Sequence, residues 1–277
     1  EYKVRNHAME QIKIAAFDVD NTLFDYRNMC VPASTVAALN RLQEKGIRIV
    51  IASSRAYSEL SEDLICRIHP DYYVGASGQS VQNANGSLLY AQRFTTEQTK
   101  AVVRAAEEYG LGLTLKYEDC TCIYTHPEEM WKVFSNIGAP KCPTVYCPSK
   151  DWHVKKLPLG FSFAGEQAAC GKMREALEAN CPDLRVEMYG SNVIADVFQK
   201  NFSKKSALAW LLRSLELSCK NIICFGDGTN DIEMIRWAGV GVAMGNACQS
   251  LKYIADRICP ASWEDGIAHQ LTSMGLA

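Results

Sequence analysis

The chain has 277 residues, 48% hydrophobic and 22% charged, with 29 Lys and Arg against 31 Asp and Glu for a formal charge of −2. At roughly 100–200 residues per domain this allows one large domain or two modest ones, and the composition excludes a globally disordered chain. No apolar run approaches the ~18 residues of a membrane span, and no basic surplus exists to bind a phosphate backbone, so neither membrane nor nucleic acid is an expected partner.

Residues 1–8, Glu1 to Ala8, are polar and precede Met9. They read as a tag or leader remnant and carry no fold expectation. From Lys13 to Phe17 an apolar run predicts a strand, closed by Asp18-Val19-Asp20-Asn21-Thr22-Leu23, and Pro32 to Lys45 has helical spacing before Gly46. Ile47 to Ala52 is a second β-branched run, followed by Ser53-Ser54-Arg55, a helical stretch from Ala56 to Ile68 and a third strand from Tyr72 to Ala76. The rhythm then changes to hairpin-like strands and longer helices such as Thr95 to Tyr109 and Glu166 to Ala179. It returns with a helix from Ser203 to Leu215, a strand from Asn221 to Phe225, the loop Gly226 to Asp231, a helix to Ala238 and a short strand from Gly239 to Ala243.

Strands alternating with helices imply right-handed crossovers and a doubly wound, parallel α/β sheet of Rossmann-like form. Its expected limits are residues 9–91 and 200–277, with an inserted α+β domain at 92–199. No internal repeat interrupts this plan. Gly239-Val240-Gly241-Val242-Ala243-Met244-Gly245 imitates a dinucleotide fingerprint, but its third glycine is one position late and no helix follows it, so that reading is rejected.

In an open parallel sheet, ligands sit beyond the carboxyl ends of the strands. Asp18, Asp20, Ser53, Asp227 and Asp231 each follow a strand and are expected to converge. Carboxylates crowded together raise one another's pKa unless a cation is present, and an all-oxygen set suits Mg2+. The twelve cysteines are scattered and read as reduced thiols of a cytoplasmic protein. Cys120 and Cys122 with His126, and Cys142 with Cys147, are the tightest groupings, which together could be imagined as a zinc site. Neither pair has knuckle spacing, and buried thiols are preferred as the reading.

Asp18 to Leu23 resembles the first motif of the haloacid dehalogenase superfamily, and Gly226-Asp227-Gly228-Thr229-Asn230-Asp231 resembles its fourth. Ser53 matches the second motif and Lys204 the third, with Lys205 as a competitor one residue on. Ala243 to Ala247 and Glu264-Asp265-Gly266 resemble the Cof-type phosphatases, which carry a large C2-type cap after the third strand.

The resemblance implies a hydrolase of small phosphate monoesters, sugar phosphates or phosphorylated cofactors, working through an aspartyl-phosphate. Asp18 is then the nucleophile and Asp20 the general acid and base. Mg2+ is expected on Asp18, the main-chain carbonyl of Asp20 and Asp227, with Asp231 supporting its water shell or orienting Lys204. Ser53, Ser54, Lys204 and Asn230 complete a phosphate cradle. The implied partner is a small phosphorylated metabolite, and no feature specifies an oligomeric state. A phosphosugar mutase and a non-catalytic phosphosugar sensor would use the same residues.

The pattern is broken at several positions. Asn21, Ser54 and Lys205 stand where the family has glycine, Trp263 where its Cof-type members commonly have asparagine, and Ser77-Gly78 where they have asparagine-glycine. Asn21 suits its place if the backbone there needs a positive φ. Trp131, Trp152, His126 and His153 in the inserted section are expected either to line a substrate pocket or to pack a core.

Overall fold

The structure, a computed structural model, describes residues 11–134, 143–189 and 193–277. The readings placed on residues 1–8, Met9 and Cys142 lie outside them. The chain divides into two compact units: Glu1–Ser53, Asp63–Ser87 and Ser203–Ala277 form the first, and Ser54–Glu62 with Leu88–Phe202 the second.

In chain order the first unit begins with β1 (Ile14–Phe17), α1 (Ala33–Glu44), β2 (Arg48–Ala52), α2 (Glu62–Ile68), β3 (Tyr72–Gly75) and β4 (Ser80–Asn83). The second carries β5 (Leu88–Ala91), α3 (Thr96–Glu108), β6 (Gly112–Lys116), β7 (Thr121–Thr125), α4 (Pro127–Phe134) and β8 (Thr144–Tyr146). It continues with α5 (Trp152–Lys155), β9 (Gly160–Ala164), α6 (Gln167–Asn180), β10 (Leu184–Tyr189) and β11 (Ile194–Gln199). The chain then returns to the first unit with α7 (Lys204–Ser214), β12 (Ile222–Gly226), α8 (Ile232–Trp237), β13 (Val240–Ala243), α9 (Gln249–Ile254), β14 (Arg257–Ile258) and α10 (Gly266–Ser273).

Within the first unit the strands lie in the order β14-β13-β12-β1-β2-β3-β4. They are parallel throughout except for β4, which folds back antiparallel on β3. The central β1 is apolar and buried along its whole length, as a strand covered on both faces must be. Phe17 pairs with Phe225 on β12, and their rings stack with centroids 4.9 Å apart. This register brings the ends of β1, β2 and β12 side by side.

The second unit is a sheet in the order β10-β11-β9-β6-β7-β8, antiparallel apart from the β7 and β8 pair. Strand alternation sorts its two faces. Leu113, Leu115, Phe161, Phe163 and Val197 join Met173 of α6 in the apolar core. The intervening Lys116, Ser162 and Asp196 form a buried polar cluster instead. Lys116 Nζ lies 2.9 Å from Asp196 Oδ1 and 3.3 Å from Glu59 Oε2, and Ser162 Oγ donates to Asp196 at 2.5 Å. Burial opposes the Lys116 charge, yet Asp196 and Glu59 hold its pKa above the usual lysine value.

That cluster explains one departure from expectation. The stretch Ala56 to Ile68 is not one helix: Tyr57–Glu59 is a single 3-10 turn, and only Glu62–Ile68 is α-helical. Ser54–Glu62 belongs to the second unit because Lys116 Nζ donates to the Ser54 carbonyl (3.3 Å) and Ser58 Oγ to the Tyr117 carbonyl (2.9 Å). Long-range bonds override the local helical spacing.

Of the four aromatic and histidine candidates two pack, and two, Trp131 and His126, are exposed. Trp152 meets Tyr117 edge-on with centroids 5.7 Å apart, and the His153 amide donates to Tyr124 Oη at 2.7 Å, whereas Trp131 is 47% exposed. Cys122 and Cys147 are buried thiols of the second core, and all described cysteines are free. Among the described residues no helix is long and apolar enough to cross a membrane.

Candidate functional site

Asp18 continues β1, its amide donating to the Phe225 carbonyl at 3.0 Å, and the chain then turns back through Thr22 and Phe24, whose amides both reach the Val19 carbonyl. The turn passes through Asn21 at φ +59°, so an asparagine stands where the backbone is left-handed. The Asn246 side-chain amide holds the Asn21 carbonyl at 2.8 Å, and Asn246 Oδ1 accepts the Ser262 amide at 2.9 Å. The closing motifs of the sequence thus brace the first one.

Lys204 opens α7 behind the capping residue Ser203, whose hydroxyl donates to Glu233 at 2.7 Å. Its ammonium donates to Asp18 Oδ1 and to Asp231 Oδ1, both at 2.6 Å, and its side chain is 1% exposed. Lys205, its competitor in the sequence, is half-buried. The turn after β3 presses against the start of α7: a Cβ on Gly78 would lie 2.1 Å from the Ser203 carbonyl oxygen. Ala76 and Ser77 carry the left-handed backbone there, at φ 48° and 53°.

Asp231 Oδ2 accepts the amides of Asp227 and Gly228, each at 3.0 Å, while its Oδ1 takes the Lys204 bond. Gly226 makes this possible, since a Cβ there would come within 2.6 Å of the Asp231 carboxyl carbon. Carboxylate oxygens of Asp18, Asp227 and Asp231 lie within 4.8 Å of one another, the only such group of potential metal ligands among the described residues. Cys120, Cys122 and His126 do not form one.

Ser53 is buried at the end of β2, its amide bonded to Val74 and its carbonyl to the Ser77 amide. Asn230 sits half-buried on the loop with Asp227, whereas Ser54 is engaged in the second unit. Asp20 is half-buried, and Tyr26 donates its phenol proton to Asp20 Oδ1 at 2.5 Å. Tyr26 is absent from the sequence reading, because a tyrosine nine residues past the end of β1 carries no spacing signal.

The electrostatics follow from burial and crowding. Burial, with the charges of Asp231, Asp227 and Asp20, drives the Asp18 carboxyl well above its usual range although Lys204 opposes it. Asp227 is pushed up to about 7, first by burial and then by Asp231 and Asp20, against Lys204. Burial works against the Lys204 charge, but Asp18 and Asp231 hold its pKa above the usual lysine value. A single ammonium does not neutralise this many carboxylates, and the donor set is all oxygen. The residues therefore fit a hard divalent cation such as Mg2+.

The sequence profile described as haloacid dehalogenase-like hydrolase matches residues 15–271. YkrA of Bacillus subtilis is 27% identical over 95% of this chain and 98% of its own length. The HMP-PP phosphatase of Yersinia pseudotuberculosis is 24% identical over 94% of each chain. The sugar phosphatase BT4131, of haloacid dehalogenase subclass IIB, superposes with a TM-score of 0.82 at 25% identity, covering 96% of this chain and 100% of that one.

Proposed function

Because this chain belongs to the haloacid dehalogenase-like hydrolases, we propose that it is a Mg2+-dependent phosphatase of small phosphate monoesters, sugar phosphates or phosphorylated cofactors. The observation that carries this reading is the placement of Asp18, a buried carboxylate at a strand end, held by Lys204 and flanked by Asp227 and Asp231. Asp18, the main-chain carbonyl of Asp20 and Asp227 would hold the Mg2+. Bound there, the ion screens an incoming phosphate from the carboxylates and stabilises charge on its oxygens.

The chain's own residues do the rest. Lys204 fixes the Asp18 carboxylate through Oδ1 and supplies positive charge where the phosphoryl group arrives. Attack by Asp18 on phosphorus gives an aspartyl-phosphate, dividing one difficult hydrolysis into two steps. Asp20 gives a proton to the departing alcohol oxygen and then takes one from the attacking water. The Ser53 hydroxyl donates to a phosphate oxygen, with Asn230 and Ser54 as further candidates for that cradle. Asp231 has both oxygens engaged, by Lys204 and by two main-chain amides, so it acts as a positioning residue for Lys204 and the loop carrying Asp227.

Residues 92–199, most of the second unit, would act as the cap that selects the leaving group, and the cytoplasm is the compartment that keeps twelve thiols reduced. The deciding experiment is a panel of sugar phosphates and phosphorylated cofactors assayed for inorganic phosphate, with Mg2+ and with chelator. Release that needs Mg2+ supports the reading. An isomeric phosphate ester formed without release would assign a mutase, and binding without turnover a sensor.

A further inference from the structure

We infer that Ser77 is a further phosphate-binding residue, its hydroxyl donating beside that of Ser53 to the phosphoryl group of the substrate. The inference adds a second hydroxyl to the cradle described above and rests on that reading.

Three observations within the first unit carry it. The Ser77 side chain is buried, 1% exposed like Ser53 and Lys204, and its Oγ has no hydrogen-bond partner among the described residues. A buried hydroxyl in this state has given up its bonds to water without replacement, which makes it a strong donor for any acceptor that reaches it.

The second observation is its place between two motifs. β2 and β3 are parallel neighbours, with Ala52 opposite Val74. The Ser53 amide donates to the Val74 carbonyl at 2.9 Å, and the Ser77 amide donates to the Ser53 carbonyl at 3.0 Å. On its other side the same turn presses on the residues that open α7, and a Cβ on Gly78 would lie 3.0 Å from the Lys204 amide nitrogen. Ser77 is thus tied to Ser53 and followed by a residue packed against Lys204, past the carboxyl end of β3 where a parallel sheet takes its ligands. Thr22, Ser80 and Ser262 also carry buried hydroxyls without partners, but of the four only Ser77 bonds to a residue of the cradle.

The backbone supplies the third observation. Ala76 and Ser77 are consecutive left-handed residues, at φ 48° and 53°, and neither is the glycine or asparagine that enters this region easily. Strain of this kind persists where the surrounding structure fixes it, and it collects at ligand sites. A phosphoryl group suits the hydroxyl so held, because its anionic oxygens accept charge-assisted hydrogen bonds that are stronger than neutral ones. Ser77 transfers no proton and forms no covalent bond. It adds a donor where charge accumulates on the transferring group.

The test compares Ser77→Ala and Ser77→Gly with the wild-type chain in Mg2+, reading kcat/KM on 4-nitrophenyl phosphate, the inhibition constant of inorganic phosphate and the melting temperature. Glycine adopts the left-handed backbone freely, so it keeps the turn should alanine disturb it. Both variants are expected to lose on the order of 10- to 100-fold in kcat/KM, as for one hydrogen bond to a charged group. The inhibition constant of phosphate should rise about tenfold or more, with no fall in Tm for Ser77→Gly in phosphate-free buffer. Wild-type turnover and phosphate inhibition in both variants would overturn the role of Ser77 and leave the phosphatase reading standing. A loss of turnover without weaker phosphate inhibition, or a loss in Ser77→Ala that Ser77→Gly does not share, would overturn it as well. A wild-type chain that releases no phosphate from any ester in the panel overturns the phosphatase reading, and this inference with it.

Discussion

Asp18 and Asp227 are acids whose surroundings favour the protonated form, and this fixes the sign of their contribution to stability. For Asp227 the value moves from 3.8 in the unfolded chain to about 7 in the fold, burial being the first cause. Between those values the native state binds the extra proton, so the contribution of this group to metal-free stability falls as pH rises through that window. A divalent cation reverses the effect by favouring the ionised form. The Mg2+-induced rise in Tm should therefore be larger at about pH 8 than at about pH 5, and a pH-independent rise would contradict the metal assignment. The same reasoning predicts that Asp18→Asn, which removes a charge the site disfavours, keeps its melting temperature in metal-free buffer while turnover becomes undetectable. Retention of more than about a hundredth of the rate would refute Asp18 as nucleophile. At the third motif, Lys204→Ala should lower turnover on the order of 10² or more, since it deletes two ion pairs of 2.6 Å, whereas Lys205→Ala should stay near wild type. The opposite ranking in parallel assays would place the motif one residue on.

Among the elements, the excursion from Ser54 to Glu62 depends on Lys116. Replacing this lysine by methionine leaves Glu59 and Asp196 buried without their cation, a change that costs about 3–5 kcal/mol in comparable pairs. Hydrogen exchange should then speed up at Ala56 to Leu60 before the first unit is affected, and unchanged protection of that segment would show that Lys116 does not hold it. The same segment shows where the sequence was legible. Asp18, Ser53 and Asp227 could be placed because each follows a short apolar strand, Ile14–Phe17, Arg48–Ala52 or Ile222–Gly226, and neighbouring strand ends in a parallel sheet must meet. Asp231 was nameable too, although the engagement of both its oxygens follows from a bond to α7 and from the turn at Gly226, neither visible as a pattern. Ser58 and Glu59 were misread as helix because their partners, Tyr117 and Lys116, are far away in sequence. The antiparallel β4 escaped for a related reason: its residues, Ser80–Asn83, are mostly polar and become a strand only by pairing with β3. Tyr26 left no trace because its bond to Asp20 depends on a loop stapled by Asp25, not on spacing.

For the molecule as a whole, the division into two units gathers the candidate site residues, Ser54 excepted, in the first. Asp18, Asp20, Ser53, Lys204, Asp227 and Asp231 all belong to the first unit, and the second has its own sheet, helices and apolar core. In the proposed mechanism these residues act on the phosphoryl group, which every substrate shares, so substitutions among them should lower kcat/KM by a similar factor across a panel of sugar phosphates. If the second unit chooses the leaving group, its exposed side chains should behave differently. Trp131, at 47% exposure, can be truncated without opening the core, and His153 contributes a ring beside Tyr124 that alanine would remove. Gaining or losing apolar contact of this size with a leaving group changes relative kcat/KM by about tenfold. Trp131→Ala and His153→Ala are thus expected to reorder preference among sugar phosphates while leaving 4-nitrophenyl phosphate much less affected. The measurement is the ratio of kcat/KM between substrates in each variant. Ratios unchanged across the whole panel, for these and for the other exposed second-unit side chains, would mean that selectivity resides in the first unit beside the aspartates.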